Sequence, residues 1–292
     1  MLIHLASRGV RRTAAAGSSN NNPDNYAAAT ITYTALDYET EVPSQALSFA
    51  GVVTTTWGAT TGYGPSGGWR VTRDGSGSEH NGGLIPVGCY QGSPAIPVDE
   101  TRLIVVSWLQ KVSAAAVASM LTGAGCKSTD FKMWNAGGTA EDNNTRQVTI
   151  FTRYPFDANR LMIYPVAGGG GGLGNASGYP EIAPLTNVDF ADFADQWAWV
   201  CVVMDATGAD ADNSTRLYYK VAGDSTVTKF YHRTGDQNGG GGGVGFDDTY
   251  KYTTRGWHQS FGTVMGYWDP TPLGTVDLDR LRVSNGWINP PF

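Results

Sequence analysis

Residues 196–221, QWAWVCVVMDATGADADNSTRLYYKV, decide the fold. They spell two strands around a polar turn. Trp197, Trp199, Cys201 and Val203 alternate with Ala198, Val200, Val202 and Met204, so both faces of the first strand are apolar. Such a strand belongs in the middle of a packed sandwich, covered on both sides. The turn from Asp205 to Ser214 carries Gly208, Asp210, Asp212 and Asn213, types that favour turn conformations and bond locally to backbone. In the return strand Leu217, Tyr219 and Val221 alternate with Arg216, Tyr218 and Lys220. That alternation predicts one buried face and one wet face.

Working outward, the composition fits the same class. A chain of 292 residues with 41% hydrophobic content is long enough to bury a sizeable core. Charged residues are 16%, below the usual quarter, and the 39 glycines are about twice the usual share. The glycine share favours turns and long loops over helices. The net charge of −6 argues against a nucleic-acid binder, which is normally basic. No apolar run is long enough to cross a bilayer as a helix. Cys89, Cys126 and Cys201 lack metal-ligand spacing; Cys201 reads as a small core residue, and a Cys89–Cys126 disulfide is left open.

Further strands are expected near residues 30–43, 47–57, 69–73, 102–109, 131–134, 147–153, 161–166, 259–268 and 275–284. Residues 113–121, SAAAVASML, are the one good helix candidate, with Ser113 as cap and Gly123 as stop. The glycine runs 168–172 and 239–243 lack the Gly-Lys-Ser/Thr ending of a phosphate loop. The chain therefore divides into an extended N-terminal arm and linker, residues 1–29, and one all-β domain, residues 30–292. The arm has no acid before Asp24 and carries Arg8, Arg11 and Arg12. It is similar in composition to an organelle transit peptide, but the preferred reading is a polar arm held by a neighbouring subunit. Leu2–Leu5 is expected to add as a short strand to another sheet's edge.

Four segments resemble the concanavalin A-like lectin/glucanase jelly roll in its laminin-G-like form. They are Leu36-Asp37-Tyr38-Glu39, RLIVVSWLQK (residues 102–111), the Trp197–Tyr219 hairpin with Ala222-Gly223-Asp224 as the next tight turn, and TVDLDRLRVS (residues 275–284). The resemblance implies a sandwich of two antiparallel sheets in which the closing strand lies beside the opening one. It speaks to fold, not to activity. That superfamily includes lectins, glycoside hydrolases, polysaccharide lyases and non-enzymatic adhesion or virion modules.

The catalytic options find little support in these residues. The Glu-x-Asp-x-x-Glu pattern of the retaining glucanases is missing, and Glu39-Thr40-Glu41 lacks the intervening acid. The Gln-x-His motif of the lyases is missing too, and Tyr231-His232-Arg233 sets its Tyr and His on opposite strand faces. No catalytic residue is assigned. A structural Ca²⁺ is the one cofactor the resemblance admits, with Glu39, Asp277 and Asp279 as candidate ligands; the competing reading makes these acids a soluble outer face. Arg280 and Arg282 are expected on the face opposite Asp277 and Asp279. Trp57, Tyr63, Trp69, Trp134, Tyr218, Trp257 and Trp268 are candidate sugar-stacking aromatics.

What remains is a structural expectation by elimination: a non-enzymatic virion protein, a bacteriophage capsid-decoration or tail-associated module. Its partners would be other virion proteins or copies of itself, and possible display of a glycan-binding surface goes with it. The alternatives are an extracellular lectin-like protein and a polysaccharide lyase or glycoside hydrolase.

Overall fold

The structure is a computed structural model that describes residues 21–40, 53–73, 82–84, 103–122, 127–135, 145–153, 157–167, 193–205, 214–234, 257–264 and 274–292. In chain order its elements are β1 (Thr32–Leu36), β2 (Val53–Gly58), β3 (Gly68–Arg73), β4 (Gly82–Leu84), β5 (Leu103–Val112), α1 (Ala114–Thr122), β6 (Lys127–Asn135) and β7 (Thr145–Arg153). They continue with β8 (Asp157–Ala167), β9 (Trp197–Asp205), β10 (Ser214–Val221), β11 (Thr228–Thr234), β12 (Trp257–Val264) and β13 (Gly274–Ser284). The strands form an 8-stranded sheet, ordered β11-β10-β9-β5-β13-β3-β2 with β1 also paired to β13, and a 5-stranded sheet, ordered β4-β12-β6-β7-β8. The named strand pairs are antiparallel. This is an all-β jelly-roll sandwich, as the 196–221 hairpin and its flanking strands predict.

β9 sits in the interior of the large sheet, between β5 and β10, and is buried on both faces. On one face Val200 and Val202 stand in register with Trp108 and Val106 of β5, and Val276, Leu278 and Val283 of β13 extend the same layer. All of these are at most 1% exposed. On the other face Val105, Leu109, Trp199, Cys201, Val203 and Tyr218 form one cluster with Val227 and Trp287. Each such side chain contributes about 1.5–3 kcal/mol of burial free energy, which is why a strand with no polar face occupies this position. Cys201 is a core residue, and burial pushes its thiol pKa up.

The helix begins as its sequence predicts. Ser113 Oγ accepts the Ala116 amide at 3.1 Å, capping the first turn, and also accepts the Thr275 amide of β13 at 3.0 Å. Gly274 faces this cap at φ +83°, and a Cβ there would lie 2.5 Å from Ser113 Oγ, so glycine is required. The turn after β10 is also as expected, with Gly223 at φ +96° and the Asp224 amide bonded to Val221 O at 3.0 Å.

Two expectations are corrected. The Arg216/Tyr218/Lys220 face of β10 is not wet: Tyr218 is 0% and Lys220 4% exposed. Alternation locates the face but cannot say what covers it, and here the segments flanking the sandwich do. The second correction concerns β13. Asp279 opposes Leu109 and Arg282 opposes Ser107, so two residues face Trp108 alone and the strand bulges. Arg280 takes φ 52° at this bulge. The extra residue resets the alternation, and Arg280 and Arg282 come to the face that carries Asp279 rather than the opposite one. Residues 1–20, Cys89, Cys126, Trp268 and both glycine runs lie outside the described residues.

Candidate functional site

The covered face of the large sheet holds the chemistry that the described residues bring together. Its cover starts with Asn22-Pro23-Asp24-Asn25, a turn sequence with proline at its second position. The Asn25 amide bonds Asn22 O at 3.2 Å, and Asn25 takes φ 56°, a conformation asparagine tolerates. Asn22 closes the turn by pairing both amide groups with the Tyr26 main chain, at 2.8 and 3.0 Å. Downstream, the Trp287 amide donates to Ala27 O at 2.8 Å and the Ala29 amide to Trp287 O at 3.0 Å. Asn285 Oδ1 accepts the Thr30 and Ile31 amides at 3.0 and 2.9 Å. Residues from either end of the described chain are thus stitched to each other across the sheet face.

This turn delivers Asp24 and Tyr26 onto β10 and β11. The Tyr218 hydroxyl donates to Asp24 Oδ2 at 2.5 Å. Lys229 Nζ donates to both Asp24 oxygens, at 2.7 and 3.0 Å, and Arg216 Nη1 lies 3.6 Å away. Burial alone would raise the Asp24 pKa, but the bonds from Lys229 and Tyr218 and the positive charges of Lys229 and Arg216 hold it below the ordinary value. Tyr26 stacks on Trp287 with ring centroids 6.0 Å apart, meets Tyr218 edge-on, lies under the Arg216 guanidinium and accepts a hydrogen bond from it. Burial pushes its hydroxyl pKa up to about 12, and burial with the Asp24 bond carries Tyr218 well above the ordinary tyrosine value. Lys220 Nζ donates to Asn21 Oδ1 at 3.0 Å and to the Phe292 main-chain oxygen at 2.6 Å.

Beside this clamp lies a cleft of about 140 Å³ over the middle of the sheet, with Leu109 and Trp199 at its base and Asp37, Arg280, Arg282 and Pro291 among its walls. Arg282 pairs with Asp37 and donates to Leu281 O at 3.0 Å. Asp279, next to the cleft, is 0% exposed; its Oδ2 accepts the Tyr63 amide at 2.9 Å and Ser66 Oγ at 3.1 Å. Burial raises its pKa, against the opposing pull of those bonds and of Arg280 at 3.8 Å.

The sequence-derived candidates are scattered. Trp69 (3% exposed) and Tyr218 (0%) are core side chains and offer no ring face to a sugar, a correction to their reading as stacking aromatics. Trp57 is half-buried and donates its indole N–H to Tyr38 O at 2.9 Å. Tyr63, also half-buried, packs against Trp197 and Phe292. Trp134 and Trp257 belong to β6 and β12 of the other sheet, where Trp134 stands opposite His258 and Trp257 opposite Asn135. Nor do the proposed calcium ligands meet. Both Asp277 oxygens are taken by Arg70, at 2.6 and 2.8 Å, Asp279 is engaged as described, and Glu39 is exposed. Among the described residues no three His, Cys, Asp or Glu side chains gather as a metal site. Arg8, Arg11 and Arg12 lie outside the described residues. Sequence reasoning missed Asp24, Tyr26 and Trp287. The Asn-Pro-Asp-Asn turn with a following tyrosine was the available signal.

No protein-family model matches the chain, and no curated protein matches it. Solved structures are similar in shape. An endo-β-1,4-glucuronan lyase from the fungus Trichoderma reesei aligns at 10% identity and TM-score 0.47, over 87% of this chain and 95% of that one. A basic winged bean lectin with Tn-antigen aligns at 8% identity and TM-score 0.42, over 87% and 97%. The alginate lyase vAL-1 from Chlorella virus aligns at 11% identity and TM-score 0.36, over 80% and 90%. At such identities and TM-scores these likenesses carry no argument about chemistry.

Proposed function

We propose that this protein is a non-enzymatic structural module of a virion, a capsid-decoration or tail-associated protein of a bacteriophage built on a concanavalin A-like sandwich and attached through the residues preceding Asn21. The observation that carries this reading is the rooted N-terminal segment. Asp24 is held by Tyr218 and Lys229, and Tyr26 by Trp287, so the chain is anchored on the sheet from Asn21 onward. An arm with a fixed root loses less orientational freedom on docking than one on a loose linker. Arg8, Arg11 and Arg12 then supply positive charge to a partner surface, formed by other virion proteins or by copies of this chain. Tyr26 and Tyr218, the titratable hydroxyls of the clamp, are committed to internal bonds, which accords with a non-catalytic role.

The test is a chain lacking residues 1–20 but keeping the root. It should melt with the full-length protein and be lost from sedimented particles of the culture that makes them. Equal recovery of both chains in the particles defeats the proposal. A second reading, lectin-like glycan binding, draws on the partial exposure of Trp57 and Tyr63. A glycan array in which Trp57→Ala abolishes a reproducible signal would favour it.

A further inference from the structure

We infer that the cleft between Asp37, Arg280 and Arg282 is a binding site for the carboxylate of a small organic acid, with Arg280 as its primary anion contact. The inference stands on the cleft and is independent of the docking role.

Backbone geometry is the first support. Arg280 holds φ 52° at the β13 bulge. A left-handed residue other than glycine costs about 1–2 kcal/mol, and such outliers gather where a side chain must be aimed. Here the result is Arg280 on the cleft wall, with its guanidinium carbon 5.7 Å from the centre of the Tyr63 ring. Its ion-pair partner among the described residues is Asp279, 3.8 Å away, beyond hydrogen-bond reach. That carboxylate oxygen already accepts from the Tyr63 amide and Ser66.

Donor geometry narrows the ligand. Arg282 is matched by Asp37 and held in place by Leu281 O. Arg280 faces Asp279 across 3.8 Å without a hydrogen bond, so its guanidinium has N–H donors to spare and the cleft favours a planar anionic acceptor. A carboxylate meets a guanidinium through two parallel N–H···O bonds and brings a single charge. A phosphate dianion brings a second, close to Asp37 and to Asp279. Size agrees. A cleft of about 140 Å³ has the volume of roughly four or five waters at about 30 Å³ each, which fits a carboxylate with a short carbon body. Ile288 and Pro291, the accessible apolar members of the lining, give that body its contact.

The bulge geometry supplies a clean variant. Arg280→Gly relieves the left-handed strain and deletes the guanidinium, so it should fold with an unchanged or raised melting temperature. The experiment is an NMR titration of the ¹⁵N-labelled full chain with acetate, D-glucuronate, D-glucose and inorganic phosphate. Saturable shifts with acetate and with D-glucuronate, none with D-glucose, and weaker ones with phosphate support the site. Tighter binding of D-glucuronate than acetate identifies a sugar acid as the source, and equal binding a simple organic acid. Arg280→Gly should abolish the shifts, and Arg280→Lys should weaken binding about tenfold or more, as loss of a bidentate contact does. No saturable shift with either carboxylate, phosphate binding more tightly than both, or full binding by Arg280→Gly would overturn the inference. Should Arg280→Gly misfold, the Lys variant and the wild-type ligand series decide.

Discussion

Replacing Asp24 with alanine tests the clamp most directly. The change leaves the Tyr218 hydroxyl, on a side chain 0% exposed, without its acceptor. A buried donor stranded in this way costs about 1–3 kcal/mol. Lys229 loses its partner too, but its side chain is 26% exposed and rehydrates, so that pair adds only about 0.2–1 kcal/mol. The expected loss is therefore about 1–4 kcal/mol, against the 5–15 kcal/mol typical of a domain. Urea unfolding followed by tryptophan fluorescence reads it as a lower midpoint with an unchanged slope. Asp24→Asn keeps an acceptor for Tyr218 and should lose less. The pH dependence has a defined sign. Asp24 has a folded-state pKa below the ordinary 3.8, so its contribution is full above the unfolded-state value and disappears as pH falls through the folded one. Wild type and Asp24→Ala should differ most above about pH 5, with part of the gap closing in stronger acid. Hydrogen exchange locates the effect, because the Ala29 and Trp287 amides, bonded across the clamp, should lose protection first. Equal midpoints together with equal protection at those two amides would refute the account of Asp24.

Three further changes follow from the same geometry. Trp287→Ala removes a side chain that is 4% exposed and contacts Tyr26, Trp199 and Tyr218, so calorimetry should show a loss of about 3–5 kcal/mol. Gly67→Ala places a Cβ 2.3 Å from Tyr38 O and 3.1 Å from the Trp57 indole, forcing the Trp57–Tyr38 bond apart. A destabilisation of about 1–3 kcal/mol with a changed Trp57 indole resonance is expected, and an unmoved resonance counts against it. Arg70→Ala strands Asp277, whose side chain is 4% exposed; because Arg70 is 45% exposed, the expected loss is about 1–3 kcal/mol, less than for a buried pair, read by urea unfolding.

The core of the fold was legible because its signals are local and repeated. A strand apolar on both faces can occupy only an interior position, which is where β9 lies. The closing segment 275–284 resembled a strand that returns to the start of the domain, and Leu36 pairs with Leu281 and Thr32 with Ser284. Ser113 announced its cap. The site was much less legible. Nothing in the alternation of Arg216, Tyr218 and Lys220 says that residues almost 200 positions earlier cover them; Tyr218 and Asp24 are 194 apart. Those residues read as linker because a turn of Asn, Pro and Asp is polar whether it faces water or lies on a sheet. The bulge was missed for another reason. Period-2 reasoning assumes an unbroken pleat and counts straight through the adjacent polar pair Asp279-Arg280, which breaks the alternation where the strand bulges.

β13 has a consequence for how the protein is made. Its early residues pair with β3, its later ones with β1, and its opposite edge with β5. Until residues 274–284 have left the ribosome, the β2–β3 hairpin and the β5–β9–β10–β11 block have no strand between them, and β3 and β5 each present an unpaired edge. Such edges invite pairing with other nascent chains. The hazardous interval in synthesis is thus the one between the emergence of β11 and that of residues 274–284, and slow translation within it would cost yield.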